Sequence, residues 1–249
     1  MKTFLVLLLT SGVLTQLAAQ PTAEKRLALV IGNNEYAHHT PLLKAVNDAA
    51  DMATTLTQLG FEVLLHKNAD KSAMQRAMNE FQTKLPRYSV GLMYYAGHGT
   101  DVDGQHFMVP TDAKPTDAAE VEKMCLKTSQ LITEMEAAKL KTNIIILDTD
   151  RTNPFGRTLQ RASTESLSDA DAPTEFYIAY ATSPGHPALE GTGRNGLYTA
   201  ALLKSIVVPN RPIEGVFKQA RMEVSKQSDN KQMPWELSSL TSTFYFLKK

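Results

Sequence analysis

An α/β domain built on a mainly parallel sheet is the fold class this sequence predicts, and three observations carry the prediction. Continuous apolar runs of strand length recur, stretches of helical period separate them, and the two kinds alternate along the chain. Leu27-Ala28-Leu29-Val30-Ile31, closed by Gly32, is apolar at every position, as a strand buried on both faces must be. From Leu43 to Leu59 the residues Val46, Ala49, Ala50, Ala53 and Leu56 recur on one helical face, with Gly60 as the stop. Phe61 to Leu65 reads as the second strand. Ser72 to Leu85 is a second amphipathic helix that turns Met74, Ala77, Met78 and Phe81 inward, and Pro86 ends it. Val90 to Tyr95 is the third strand, and the crossovers between these strands should be right-handed.

Beyond Tyr95 the pattern loosens. Gly104 to Val109 suits a short hairpin, Thr128 to Leu140 a helix, and Asn143 to Asp148 another buried strand. Between Asn153 and Pro173 apolar periodicity disappears into Ser, Thr, Asp and Arg, which marks a long exposed loop. Phe176 to Tyr180 resumes as a strand, Leu197 to Ile206 and Ile213 to Lys226 are helical, and Phe244 to Leu247 is expected as a last short strand. No internal repeat is visible, so the polar loop divides one sheet rather than two domains.

Composition narrows the partners. The 249 residues include 26 Lys+Arg and 26 Asp+Glu, so no global field draws the chain to nucleic acid or to an anionic membrane, and no dense basic run supplies a local one. The single cysteine, Cys125, rules out an internal disulfide and leaves any thiol chemistry to one residue. Met1-Lys2, the apolar run Phe4 to Leu9 and the small residues Leu17-Ala18-Ala19 read as a secretory signal peptide over residues 1–19, followed by a connector over 20–26. The expectation is an exported protein, periplasmic or extracellular, that keeps no stable membrane anchor.

In parallel sheets, chemistry collects at the carboxyl ends of strands. Tyr94-Tyr95-Ala96-Gly97-His98-Gly99, Leu147-Asp148-Thr149-Asp150-Arg151 and Ala181-Thr182-Ser183-Pro184-Gly185 all fall at such ends, and the glycines flanking His98 suggest a sharp turn there. At these points, and at Ala28 to Asn33, Asn47-Asp48-Ala49, Asn153-Pro154-Phe155, Asn195 to Thr199 and Pro234-Trp235, the sequence resembles the caspase-like cysteine peptidases, especially their bacterial metacaspase-like members. The resemblance runs from about Arg26 to Phe246. It implies a three-layer α/β/α sandwich with a central, mainly parallel sheet. It also implies a large-subunit-like part at 27–152, an inter-subunit-like loop at 153–173 and a small-subunit-like part at 174–249.

The resemblance further assigns roles. His98 takes the place of the catalytic histidine, Gly99 that of an oxyanion-hole donor, and Asp148 and Glu190 fall where a pocket for an Arg or Lys side chain is lined. At the nucleophile the family pattern is Asp-Ala-Cys-Arg, whereas this chain reads Asp148-Thr149-Asp150-Arg151, so Asp150 replaces the cysteine. A carboxylate with a pKa of about 3.9 attacks amides far more weakly than a thiolate. Cys125 lies between apolar neighbours away from these strand ends and reads as a buried structural thiol. The expectation is therefore an exported pseudopeptidase, without cofactor or metal, that binds or regulates a peptide or protein carrying basic residues. The alternatives are an active cysteine endopeptidase cleaving after Arg or Lys, and a non-peptidase hydrolase using His98 and Asp150. Asp148 could instead be a strand-end acid bonded to local backbone N–H groups. A metal held by His98, Asp148 and Asp150 is not expected, and His38, His39, His66, His106 and His186 are expected on the surface or in loops.

Overall fold

A computed structural model of the protein describes residues 24–150, 173–184 and 186–249; the proposed signal peptide and most of the 153–173 loop lie outside the described residues. In the first part of the chain, β1 (Arg26–Gly32), α1 (Ala45–Gln58), β2 (Phe61–Lys67), α2 (Lys71–Lys84) and β3 (Val90–Val102) alternate as the apolar pattern requires. A hairpin strand β4 (Gln105–Met108), α3 (Ala118–Met124), β5 (Leu126–Lys127), α4 (Thr128–Ala137) and β6 (Thr142–Asp150) follow. The last part holds β7 (Phe176–Tyr180), α5 (Leu197–Ile206), α6 (Ile213–Gln227) and β8 (Trp235–Ser238).

The central sheet runs β2-β1-β3-β6-β7-β8, with β4 and β5 extending from the end of β3. Neighbours from β2 to β7 are parallel, and β8 closes the sheet antiparallel to β7. Successive side chains of a strand point to opposite faces, and here both faces are covered. Ala28, Val30, Tyr94, Ile144, Ile146 and Ala179 pack with residues of α1, α5 and α6, whereas Leu29, Ile31, Met93, Tyr95, Ile145 and Ile178 pack with residues of α2 and α4. This is the three-layer sandwich. It also explains the unbroken apolar runs Leu27 to Ile31 in β1, Leu92 to Tyr95 in β3 and Ile144 to Leu147 in β6. A smaller cluster of Tyr36, Val102, Phe107, Val109, Ala113, Val121 and Cys125 fills the space beneath the β3–β4 hairpin. The hairpin turns at Asp103 and Gly104, both with positive φ, the geometry an Asp-Gly pair favours.

Four expectations need correction. The third strand does not stop at Tyr95: β3 continues to Val102, paired first with β6 and then with β4. Phe244 to Leu247 is no strand of the sheet; Phe244 and Phe246 are core anchors, and Tyr245 makes only an isolated bridge with Pro212. The closing strand is Trp235–Ser238, whose mixed polarity suits a half-exposed edge and hides it from an apolar-run reading. On α1 the buried face is Ala45, Asp48, Ala49, Met52, Ala53 and Leu56, so an acid sits where Val46 and Ala50 were expected.

Candidate functional site

Parallel pairing of β3 with β6 sets Ala96 opposite Asp148, Gly97 opposite Thr149 and His98 opposite Asp150. Two of the three strand ends singled out in the sequence are thus adjacent, and residues 98 and 150 are register partners. His98 is 7% exposed. Its backbone N–H donates to the Tyr36 hydroxyl at 2.7 Å, and the Tyr36 ring lies 4.4 Å from the imidazole, centroid to centroid. Its Nε2 is 2.7 Å from the carbonyl oxygen of Thr40. A carbonyl only accepts, so Nε2 carries the hydrogen, and in the neutral ring Nδ1 keeps its lone pair. Nδ1 is buried and has no hydrogen-bond partner among the described residues. The imidazole is therefore held from one side with its basic nitrogen free, the arrangement a general base needs.

The glycines around His98 serve close approach rather than a turn. Both lie within the extended β3. A Cβ at Gly97 would stand 2.6 Å from the hydroxyls of Tyr36 and Tyr95, and one at Gly99 would stand 2.8 Å from His106 Cε1 and Thr149 Cβ. His106 itself is not a surface residue: it is 8% exposed, its Nδ1 lies 2.6 Å from Asp101 Oδ1, and its Nε2 is 3.4 Å from Thr149 Oγ1. His39 is also partly buried, its ring 6.3 Å from that of His98, and its Nε2 is 2.9 Å from the carbonyl of Ala113.

Beside Gly97 opens a cavity of about 70 Å³, whose wall includes Lys44, Asp48, Asp148, Glu190 and Gly196. Asp148 and Glu190, far apart in sequence, meet there. Asp148 Oδ2 accepts from the Thr199 hydroxyl at 2.6 Å, and Thr199 Oγ1 lies 2.5 Å from the Tyr94 hydroxyl. Since Thr199 gives its only hydrogen to Asp148, Tyr94 donates to Thr199, which makes a directed relay toward the acid. The partners of Asp148 thus come from α5 rather than from local backbone. Glu190 Oε1 accepts from the Leu43 N–H at 3.0 Å, while Lys44 Nζ donates to the carbonyls of Glu190 and Gly191 at 2.6 and 2.7 Å.

Asp48, which the sequence placed in a matching segment but gave no site role, is the third acid of this cavity. Its Oδ1 accepts from the Gly196 N–H at 2.9 Å. Burial pushes the pKa of Asp48 upward, and the nearby Asp148 pushes it further; burial likewise raises Asp148 against the opposing Thr199 hydrogen bonds. A carboxylate on an otherwise apolar helix face was the available signal. Asp51, one turn away, bonds to Arg194 at 2.8 Å and to Asn195 Nδ2 at 2.9 Å, and the Arg194 contact holds its pKa low.

Cys125 is remote from this chemistry in character. It is 5% exposed within the small apolar cluster, at the end of α3 and just ahead of β5 and α4, and burial pushes its thiol up to about 12. The native protein should leave it unmodified by an aqueous disulfide reagent at pH 8 and yield its one thiol only on unfolding. Rapid labelling of the native chain would mean that the thiol is reachable. Among the described residues no group of three His, Cys, Asp or Glu side chains could hold a metal.

Known proteins can now be set beside this geometry. The Caspase domain family of C14 peptidases matches residues 25–245. The chain belongs to this family. The human mucosa-associated lymphoid tissue lymphoma translocation protein 1 is 31% identical over 176 residues, covering 70% of this chain. The chain spans only 20% of the length of that relative. Caspase-1-B of Xenopus laevis is 23% identical over 241 residues, covering 89% of this chain and 62% of its own. In fold, the crystal structure of caspase-1 from Spodoptera frugiperda matches with a TM-score of 0.69 at 18% identity, over 91% of this chain and 93% of that one.

Proposed function

We propose that this caspase-domain protein is a pseudopeptidase, which receives a basic side chain in its acidic cavity and holds the bound segment without cutting it. The observation that carries the reading is the convergence of Asp48, Asp148 and Glu190 on one small cavity beside the strand bearing His98. Three carboxylates against the already engaged Lys44 make a site for a guanidinium or ammonium group. What is lost is the attacking group. Position 150, the register partner of His98, is an aspartate, and the tetrahedral adduct formed by its attack on an amide would expel the carboxylate again more readily than the amine. The residue-1–19 leader points to action outside the cytoplasm, where the protein would sequester or regulate a partner with exposed Arg or Lys.

Purified natural chain should bind short Arg- or Lys-containing peptides with dissociation constants at or below the millimolar range, and leave them intact on prolonged incubation. Isothermal titration and mass spectrometry of the recovered peptide check the two halves separately. No binding at millimolar peptide would remove the ligand; cleaved peptide would restore the alternative of an active endopeptidase cleaving after Arg or Lys over that of a non-peptidase hydrolase. The free Nδ1 of His98 favours one of these, water activation for a non-peptidase hydrolysis, and His98→Ala would abolish that turnover while sparing peptide binding.

A further inference from the structure

The acidic cavity holds two carboxylates, Asp48 buried and Asp148 half-buried, whose own hydrogen-bond donors are neutral. Asp48 is 4% exposed and Asp148 lines the cavity wall. From the point where a Cβ at Gly196 would stand, Asp48 Oδ2 is 3.1 Å away and Asp148 Oδ2 is 3.7 Å away. The donors are the Gly196 N–H and the Thr199 hydroxyl.

The surrounding charges do not neutralise the pair. On α1, the Lys44 ammonium is spent on the carbonyls of Glu190 and Gly191, and Asp51 is another acid. In the 186–196 segment, Arg194 is bonded to Asp51, and Glu190 adds a carboxylate to the wall. From β3 come Tyr94 and, one same-face position beyond Ala96, His98; from α5 comes Tyr198 beside Thr199. Burial keeps both phenols neutral. Ionising both Asp48 and Asp148 would confine like charges with only neutral donors to hold them, which is the condition for two acids to share a proton.

We infer that the empty cavity keeps one proton between Asp48 and Asp148, and that a guanidinium or ammonium group entering it displaces this proton to solvent. The inference rests on the cation-binding reading above and adds its regulation: occupancy follows pH. Burial acts in the same direction on both acids, with Asp148 adding to the effect on Asp48. A basic ligand therefore competes with a proton, so its affinity falls about tenfold for each pH unit below the range in which the pair ionises. A neutral side chain of similar shape displaces no proton.

The test uses the full chain. With Nα-acetyl-arginine methylamide as probe, isothermal titration in buffers of different ionisation enthalpy should register about one proton released per ligand near neutral pH. Carbon-13 NMR of Asp-labelled, ligand-free protein should show a carboxyl titrating well above the usual carboxylate range. That signal should vanish in Asp48→Asn, whose side-chain oxygen can still accept from Gly196. If both carboxyls titrate in the usual range while the probe binds, the proton-sharing inference is overturned and the cation site stands. If the raised titration is present but the probe does not bind at any pH from 5.5 to 8, the cation site fails and displacement falls with it. Binding that leaves the raised carboxyl protonated also overturns the inference.

Discussion

Asp150→Cys is expected to convert a chain that leaves Arg and Lys peptides whole into one that cleaves them, with a rate gain of at least about a hundredfold over background. The base that a thiol needs is already present. His98 is fixed through Nε2 to Thr40 and by the Tyr36 ring, so its lone pair at Nδ1 has a defined direction without any help from residue 150. Register pairing sets the backbone of residue 150 across the ladder from His98. A thiol needs a base and an oriented scissile bond, and the acidic cavity beside Gly97 supplies the orientation through the preceding basic side chain.

Adding His98→Ala to the cysteine variant should then remove about 10²- to 10⁴-fold of the acquired rate, while Asp150→Ala stays silent. Activity in the unaltered chain would refute the pseudopeptidase reading outright. A cysteine variant that binds peptide yet remains silent would place the loss of function beyond residue 150, in the positioning of the peptide bond itself.

How much of this could be read from the sequence follows from how each residue is buried. β1 and the first half of β3 are covered on both faces, and such strands announce themselves as unbroken apolar runs. β8 is covered on one face at the sheet edge, so Trp235-Glu236-Leu237-Ser238 carries no such run, and Phe244 and Phe246 imitated a strand because they are core anchors of an irregular segment. The site divides in the same way. His98 and Asp150 were legible because strand ends are local features, and pairing then placed them side by side. Asp48 was not, since its contact with Gly196 spans 148 positions and depends on how α1 lies against α5. At glycines 97 and 99 no sharp turn forms; their need for space arises from Tyr36, Tyr95, His106 and Thr149, and of these only Tyr95 is a near neighbour in sequence. Strand alternation gives no argument against a metal shared by positions 148 and 150, since positions two apart on β6 belong to the same face.

Gly32→Ala should be among the most damaging single-methyl changes in the protein, and should disable the acidic cavity, whose wall includes Ala45. Gly32 ends β1 directly beneath α1; a Cβ there would stand 2.4 Å from the carbonyl oxygen of Ala45 and 2.5 Å from Ala49 Cβ. The first contact is with backbone, so no rotamer change relieves it, and α1 must shift. Overpacking of this kind costs about 1–3 kcal/mol, and the backbone clash puts this case at the upper end. For a chain of this size that corresponds to a fall in Tm of about 6–12 °C. Asp48 lies three residues beyond Ala45 on the displaced helix, so its bond to the Gly196 N–H should lengthen and affinity for basic peptides should fall with stability. Gly193→Ala, where an added Cβ meets nothing within 4 Å, should change neither. Ala49→Gly added to Gly32→Ala should recover only part of the loss, because it clears the side-chain contact and leaves the Ala45 carbonyl in place. Thermal melts and peptide titrations of the four proteins, including the natural chain, would decide the matter; full rescue by Ala49→Gly would show that helix backbone and strand are not in direct contact at Gly32.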